Sequence, residues 1–174
     1  MLAPFNLQKW IDENRQLLKP PVNNKNLYKQ AGDFIVMIVG GPNARKDYHF
    51  NESEELFFQI EGDMVVKAQI DGKVQEINIK QGEMFLLPGN IPHNPIRGEN
   101  TVGLVVEKVR KGTNLSDGLM WFCDKCNHPL HQFRFPLIDV EVDFLSRFKE
   151  FYSSKELRTC KNCGDEMEVD QRYI

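Results

Sequence analysis

The sequence predicts an all-β dominated fold, a barrel or sandwich with a few flanking helices and a small C-terminal extension. Between residue 33 and about residue 110, short apolar runs recur without any helical stretch between them, separated by turn signals such as Gly62-Asp63 and Asp71-Gly72. After Gly112 the pattern changes, and all four cysteines of the chain lie beyond this point in two C-x-x-C pairs. These two observations predict a β-rich core followed by a metal-binding segment.

The composition is that of a globular chain of one domain. The chain has 174 residues, of which 41% are hydrophobic and 27% charged, and its net charge is −3 from 22 basic and 25 acidic residues. We expect residues 1–112 to form an N-terminal helix and the barrel core, with residues 113–174 packed on the same domain. A slightly acidic chain disfavours nucleic-acid binding. The absence of a long apolar run or a secretory signal predicts no membrane span and a cytoplasmic location.

Two segments have the apolar spacing of helices. Residues 5–18 form the first, with Asn6 as a candidate N-cap and with Pro20 and Pro21 ending the helix. Its predicted apolar face contains Phe5, Leu7, Trp10, Ile11, Leu17 and Leu18. Residues 139–152 form the second, after two predicted strands within residues 118–137 that surround the first C-x-x-C. Its predicted apolar face contains Val142, Leu145, Phe148 and Phe151 or Tyr152.

Two histidines and a glutamate have the spacing of a metal site. His49 and Glu55 form an H-x5-E pair, and His93 ends the pattern G-x5-P-x4-H. Two imidazoles and one carboxylate are the ligand set that holds Fe(II) with open positions for substrate and dioxygen. Ligands on neighbouring strands of a small barrel can converge on its interior. Two other carboxylates remain alternatives to Glu55 as the ligand, namely Glu54 and Glu52.

Charged residues flank both histidines. Arg45 lies four residues before His49, and Arg97 lies four residues after His93. Glu107 lies in an apolar strand, where a buried carboxylate needs a partner such as the guanidinium fork of an arginine. The two arginines favour an acidic substrate, with one arginine for its carboxylate and the other for a charged oxygen species. The alternative is that each is an ordinary exposed charge.

The four cysteines predict a second metal site. Cys123 and Cys126 form the first pair, 33 residues follow, and Cys160 and Cys163 form the second pair before Gly164. Four thiolates in this spacing are typical of a closed tetrahedral site for zinc or rubredoxin-like iron, which is structural by default. Two disulfides or four unrelated thiols are the alternative. Two nearby histidines are predicted to be non-ligands because four thiolates fill the shell, namely His128 and His131.

The two histidine segments resemble the two halves of the cupin signature, except that Asp47 stands where the first histidine is common. Nearly the whole chain resembles the 3-hydroxyanthranilate 3,4-dioxygenase family. The strings that carry this resemblance are FNLQKWIDENRQLLKPPVNN, DFIVMIVGGPNARKDYHFNESEELFFQIEGD, GEMFLLPGNIPHNPIRG, VVEKVRK, WFCDKC and RTCKNCG. The resemblance implies a cupin double-stranded β-helix and a homodimer. It also implies ring opening of 3-hydroxyanthranilate by Fe(II) and O2 to 2-amino-3-carboxymuconate semialdehyde, the precursor of quinolinate in NAD biosynthesis from tryptophan.

The same resemblance implies roles for individual residues. The iron ligands of the family correspond to His49, Glu55 and His93. Its dioxygen-side arginine corresponds to Arg45, and its other catalytic groups to Arg97 and Glu107. The implied substrate contacts are Asn24, Glu55, Arg97 and Glu107.

Two other functions remain open on the residues alone. A different cupin activity on a small acidic molecule, such as a thiol dioxygenase or an isomerase, is the first, although a thiol dioxygenase would use three histidines. The second is a zinc-ribbon interaction protein whose barrel only binds a ligand. The C-x-x-C pairs alone would allow it, but the histidines, glutamate and arginines of the predicted barrel disfavour it.

Overall fold

The computed structural model of the chain describes residues 4–20, 23–30, 32–137 and 140–174. Within these ranges the chain forms eleven strands and three α-helices. The strands are β1 Asn24–Asn26, β2 Phe34–Gly40, β3 Tyr48–Asn51, β4 Glu55–Glu61, β5 Met64–Ile70, β6 Lys73–Ile79, β7 Met84–Leu87, β8 His93–Arg97, β9 Val102–Lys108, β10 Asp117–Phe122 and β11 Pro129–Phe135. The helices are α1 Leu7–Asn14, α2 Val140–Ser153 and α3 Lys155–Arg158, with 3-10 segments at Arg15–Leu18 and Gln171–Tyr173.

The strands form two antiparallel sheets, which confirms the prediction of an all-β dominated fold. The five-stranded sheet has the order β1-β2-β9-β4-β7, and the six-stranded sheet has the order β11-β10-β3-β8-β5-β6. One buried cluster contains side chains of both sheets, so the sheets face each other around a shared interior. Its buried members are Phe57, Met64, Val66, Ile79, Leu87 and Val105.

The predicted tight turns connect neighbouring strands. Gly62 has φ of +64° between β4 and β5, in the left-handed region that glycine occupies readily. Asp71 and Gly72 both have positive φ between β5 and β6, with values of 51° and 72°. Two central residues of positive φ are the signature of the hairpin turn whose twist matches the twist of paired strands. The turn at Asp71-Gly72 therefore fixes the register in which β5 pairs with β6.

The first predicted helix is confirmed but is shorter than expected. Asn6 caps it, because its side-chain oxygen accepts a hydrogen bond from the Lys9 amide at 2.9 Å. The cap leaves Phe5 outside the helix, where it is 43% exposed. The last residues continue as a 3-10 segment whose tighter turn leaves Leu17 exposed, so the predicted face was wrong at Phe5 and Leu17. The face that packs on the outside of the five-stranded sheet includes fully buried Ile11.

The second predicted helix is present as α2, but its predicted face was partly wrong. Val142 and Leu145 are 65% and 41% exposed, and Phe144 is buried. The buried stripe follows the aromatic side chains at helical spacing, and Trp121 of β10 stacks on one of them at a centroid distance of 4.1 Å. These aromatic side chains are Phe144, Phe148, Phe151 and Tyr152. Two residues in these sequence predictions lie outside the described residues, namely Pro21 and Asp139.

The predicted strands around the first C-x-x-C are confirmed as β10 and β11. They join the barrel directly, because β10 pairs with β3 and places Leu119 opposite His49. The segment after residue 112 therefore extends the sheet that contains both histidines. Its first strand residue, Asp117, is fully buried at the edge of the barrel interior. In the described part of the chain, no helix combines the length and apolarity that crossing a membrane requires.

Candidate active site

The three predicted metal ligands converge in the barrel interior. His49 of β3 pairs directly with His93 of β8, and Glu55 begins β4 in the facing sheet. The Nε2 atom of His93 lies 3.1 Å from the Oε2 atom of Glu55, and the Nδ1 atom of His49 lies 3.8 Å from the same oxygen. One ligand atom from each residue lies within 4.8 Å of the others, and all three residues are buried.

The remaining ring nitrogens are held by groups outside the cluster. The Nδ1 atom of His93 donates to the carbonyl oxygen of Ile91 at 3.0 Å. The Nε2 atom of His49 lies 2.8 Å from a carboxylate oxygen of Asp117. Each ring therefore turns its other nitrogen towards Glu55, and this nitrogen can bind a metal ion once it is unprotonated, which is how metal-binding histidines are usually oriented. This donor set fits a divalent transition metal and leaves coordination positions open.

Attraction between Glu55 and His93 stabilises the charged form of each side chain. Burial alone would raise the pKa of Glu55, but the imidazole of His93, with a smaller effect of His49, outweighs it and holds the pKa at about 2. Burial would lower the pKa of His93, but the ion pair with Glu55 raises it instead. The carboxylate is thus ionised and available as a ligand throughout the neutral range.

The alternative carboxylates lie elsewhere. Glu54 is exposed, and Glu52 accepts a hydrogen bond from the Ser116 amide at 3.0 Å. Asp47, which occupies the place of the first cupin histidine, is buried with its carboxylate 3.4 Å from Nε of Arg45 and outside the ligand cluster. Of these carboxylates, Glu55 alone joins the two histidines.

The ligand cluster forms part of the wall of a cavity of about 470 Å³, a size that suits a small organic molecule. The side chains predicted to contact substrate or dioxygen line the same cavity. They are Asn24, Arg45, Arg97 and Glu107. Strands of both sheets and the segment before β3 contribute them, so the barrel brings together residues that the sequence separates by up to 83 positions. The alternative that the two arginines are ordinary surface charges does not fit this arrangement.

Arg97 is held as a buried cation. Its side chain is 3% exposed and donates from Nη1 to Oε1 of Gln59 at 2.7 Å. Burial lowers its pKa to about 10, so the guanidinium remains charged at neutral pH. Its Nε atom is buried without a hydrogen-bond partner among the described residues. Gly103 makes the space, because a Cβ there would lie 2.5 Å from Nη1 of Arg97. A buried, incompletely paired cation is a strong site for an anionic group of a ligand.

Arg45 lies on another part of the cavity wall. Its guanidinium carbon is 5.3 Å from the ring centroid of Phe148, and its Nε faces Asp47 as described above. Its side chain is about one quarter exposed, in contrast to that of Arg97. Of the two arginines predicted from the sequence, Arg97 is therefore the enclosed cation of the cavity wall and Arg45 the more accessible one.

Glu107 belongs to a buried network of charges. Its Oε2 atom accepts from Nη1 of Arg110 at 2.6 Å. Arg110 also donates from Nε and Nη2 to the two oxygens of Asp117, at 2.8 and 2.9 Å. Burial and the nearby charge of Glu55 raise the pKa of Glu107, while Arg110 opposes this effect. Glu107 is thus a carboxyl group whose protonation is sensitive to its surroundings, at the edge of the cavity.

Sequence reasoning missed several residues at this site. Asp117 and Arg110 support it, Gln59 holds Arg97, and three side chains of the C-terminal part line the cavity, namely Phe144, Arg172 and Tyr173. A buried arginine three residues after Glu107 could have been suspected from its spacing. The contributions of α2 and of the last 3-10 segment have no local signal, because they depend on packing between distant parts of the chain.

The second cluster contains the four cysteines. The sulfur atoms of Cys123 and Cys163 are 3.6 Å apart, as are those of Cys126 and Cys160. A disulfide would require about 2.05 Å, and a tetrahedral ion with metal–sulfur bonds of about 2.3 Å sets its ligands about 3.8 Å apart. The spacing therefore fits a metal shell and not two disulfides.

Two matching turns build this cluster. In the first turn, the amide of Cys123 donates to the carbonyl oxygen of His128, and the amide of Asn127 donates to the carbonyl oxygen of Cys123. In the second turn, the amide of Cys160 donates to the carbonyl oxygen of Asp165, and the amide of Gly164 donates to the carbonyl oxygen of Cys160. Asn127 and Gly164 both have positive φ, as the turn requires. The main-chain amide of His128 and the side chain of Asn162 lower the pKa of Cys126 to about 6, which favours the thiolate. Within the described residues, His128 and His131 belong to neither ligand cluster.

The fold and the first cluster together define a class of protein, namely two-sheet β proteins that could hold one metal ion through two histidines and a carboxylate beside a cavity for a small molecule. Within this class the chain belongs to the family described as 3-hydroxyanthranilic acid dioxygenase, whose model matches residues 1–152.

Curated relatives match the chain over almost all of its length. One, named 3-hydroxyanthranilate 3,4-dioxygenase, from Xanthomonas oryzae pv. oryzae, is 50% identical over 173 residues, which cover 99% of this chain and 97% of that protein. Another of the same name, from Bacillus thuringiensis, is 49% identical over 164 residues, covering 94% and 90%. A crystal structure of a cupin-2 domain containing protein from Shewanella frigidimarina has 18% identity and a TM-score of 0.47, covering 60% of this chain and 100% of that chain.

Proposed function

We propose that the protein is a ring-opening dioxygenase that converts 3-hydroxyanthranilate and O2 to 2-amino-3-carboxymuconate semialdehyde, the precursor of quinolinate. Membership of the family supports this activity. One observation in the structure carries the proposal for this chain. The three-ligand cluster and the buried, incompletely paired guanidinium of Arg97 face the same cavity. An aromatic substrate with a carboxylate on one edge and a hydroxyl and amine as metal donors needs this combination.

The metal at His49, Glu55 and His93 is proposed to be Fe(II). Two imidazoles and a carboxylate are the ligand set of mononuclear iron oxygenases. When bound there, Fe(II) would supply the Lewis acidity and the electron transfer that activate O2 towards an aromatic ring. The carbonyl oxygen of Ile91 accepts a hydrogen bond from Nδ1 of His93 and so fixes the orientation of that ring.

The arginines and Glu107 are proposed to act on the substrate. Arg97 would bind its carboxylate, because the burial of the cation makes an unpaired state costly and an anionic partner favourable. Arg45 would stabilise negative charge that develops on the oxygen side of the reaction. Glu107, whose pKa is raised by burial, would accept or return a proton of the substrate. Asn24 would contact the substrate from β1.

The four-cysteine cluster is proposed to hold a second ion, iron or zinc, in a structural role. The thiol spacing supports metal binding there. Four thiolates complete a tetrahedral shell, so this ion would have no position for substrate. Unpaired thiols of this kind persist in a reducing compartment, which supports the proposed cytoplasmic location.

We also propose that the protein is a homodimer. The five-stranded sheet has an apolar outer face, since Leu56 pairs with Leu86 and Phe58 pairs with Met84 across β4 and β7. Met84 and Leu86 are 66% and 52% exposed, although they alternate with residues that face the interior. A contiguous apolar face on an edge strand is typical of an interface between identical subunits. Light scattering of the parent and of Leu86→Lys tests this proposal, and a monomeric parent would contradict it.

The proposed activity is tested with the Fe(II)-loaded protein and 3-hydroxyanthranilate in air. We expect a new near-ultraviolet absorbance of the ring-opened product and consumption of one O2 per substrate. Omission of Fe(II), or exclusion of O2, should abolish both signals. If 3-hydroxyanthranilate gives neither signal while another acidic small molecule is converted, the protein has a different cupin activity.

A further inference from the structure

One group of buried charges lies beside the cluster and has no role in the proposed reaction. Asp117 and Arg110 are 0% and 3% exposed, and they join each other through two hydrogen bonds. Asp117 comes from β10, and Arg110 follows β9 in the facing sheet. Burying two charged side chains has a large desolvation cost, so their presence at this place indicates a function beyond stability.

Each member of the pair also holds one functional side chain. The Oδ1 atom of Asp117 lies 2.8 Å from Nε2 of His49, and Nη1 of Arg110 lies 2.6 Å from Oε2 of Glu107. A carboxylate accepts hydrogen bonds and cannot donate one. The contact with Asp117 therefore puts the ring proton of His49 on Nε2 and leaves Nδ1 as the bare nitrogen that faces Glu55. The same guanidinium that fixes Asp117 fixes Glu107.

We propose that Arg110 and Asp117 form a positioning pair, in which Asp117 sets the proton position and orientation of His49 and Arg110 sets the carboxylate of Glu107, so that one support orients a metal ligand and a substrate contact together. The part that concerns Glu107 rests on the proposed function. The part that concerns His49 depends only on metal binding. The pairing of β10 with β3, the strand of His49, is what brings Asp117 to this ring.

The first test needs no variant. In the metal-free protein, nitrogen-15 NMR of the imidazoles, measured at a pH where His49 is neutral, should find the ring proton on Nε2. The chain has four histidines, so His128→Gln and His131→Gln, which change residues outside the cluster, simplify the assignment. A parent protein in which neutral His49 has its proton on Nδ1 would overturn the proposal.

The second test is Asp117→Asn, which keeps the shape of the side chain but turns one oxygen into a donor. We expect a mixture of His49 tautomers in the metal-free protein and an affinity for Zn²⁺ about 10- to 100-fold weaker at the histidine cluster. Following the His49 and His93 signals during a competition titration separates this cluster from the cysteines. Glu166→Gln is the matched control, because it breaks the ion pair of buried Arg158, and neither residue lines the cavity. Parent-like tautomer and Zn²⁺ affinity in Asp117→Asn would overturn this half.

The third test is Arg110→Lys, which keeps the charge and loses the fork. We expect kcat/KM for 3-hydroxyanthranilate to fall by about tenfold or more, because Glu107 loses the guanidinium that holds it. We expect the Zn²⁺ affinity to fall as well, but by less than in Asp117→Asn, because the carboxylate of Asp117 remains. An unchanged kcat/KM would overturn the half that concerns Glu107. A parent protein without ring-opening activity would instead refute the proposed function, and the NMR and Zn²⁺ measurements would still decide the role of Asp117.

Discussion

The two ligand clusters of this chain are built in opposite ways. The histidine cluster lies inside the barrel, where strands of two sheets bring its three residues together. Groups from other parts of the chain form hydrogen bonds with the remaining ring nitrogens of the two histidines. The cysteine cluster is partly exposed and consists of two local turns that satisfy their own main-chain groups. A site that leaves positions for substrate needs rigid support from many parts of the fold. A closed site needs only four sulfurs and two turns.

A change at one histidine of the barrel cluster should have the largest effect, and it should leave the cysteine cluster intact. We expect His93→Ala to abolish turnover and metal binding at the barrel cluster, because two ligands cannot replace the three-ligand set. The fold should survive, since β8 keeps its pairing with β5. Metal analysis should find one ion per chain, held by the cysteines. Normal iron content together with turnover in the variant would contradict the ligand assignment.

A change in the cysteine cluster should lower the stability of the fold and leave the catalytic activity of the folded protein unchanged. Replacing Cys123 and Cys126 together by Ser removes two ligands, and we expect a loss of unfolding free energy on the order of 4 kcal/mol, as is typical when a structural metal is lost. The second cysteine turn then has no partner to hold it against β10. Metal content should fall by one ion per chain, and the folded fraction should keep its turnover. A folded variant with full iron and no turnover would give the cysteine cluster a role beyond structure.

Within the barrel, the buried cation Arg97 allows a test of how the cavity binds the substrate. We expect Arg97→Ala to remove about 3 kcal/mol of transition-state stabilisation for 3-hydroxyanthranilate, which is the middle of the range for a lost buried charge contact. The lower kcat/KM should come mainly from a higher KM. An analogue without the carboxylate should be a poor substrate of the parent and lose little more in the variant. Gln59→Ala, which removes the neighbour of Arg97, should have a smaller effect of the same kind. Equal discrimination by parent and variant would remove Arg97 from the carboxylate contact.

The difference between the clusters also explains what the sequence could predict. The cysteine turns are local, so C-x-x-C and Gly164 were enough to predict them. The cluster of His49, Glu55 and His93 was predictable because a metal site of this kind restricts the residue types that can form it. Their supports were not predictable, since the contacts of Asp117, Gln59 and Arg110 depend on which strands pair. The face of α2 was wrong for a related reason, because Val142 and Leu145 are as apolar as a core requires and only the packing of the aromatic stripe decides between faces.

The smallest predicted effect concerns the wall that the C-terminal segment adds to the cavity. The ring of Tyr173 contacts Phe148 at a centroid distance of 4.7 Å and stacks on Tyr152 at 5.6 Å. Aromatic pairs contribute about 0.5–1.5 kcal/mol beyond the area they bury, so Tyr173→Ala should raise the KM for 3-hydroxyanthranilate by a few-fold and leave the metal content unchanged. Tyr173→Phe keeps the ring and is the matched control, expected to behave as the parent. If Tyr173→Phe loses as much as Tyr173→Ala, the hydroxyl acts on the substrate and the segment is more than a wall, which would make the C-terminal residues part of the reacting side of the barrel.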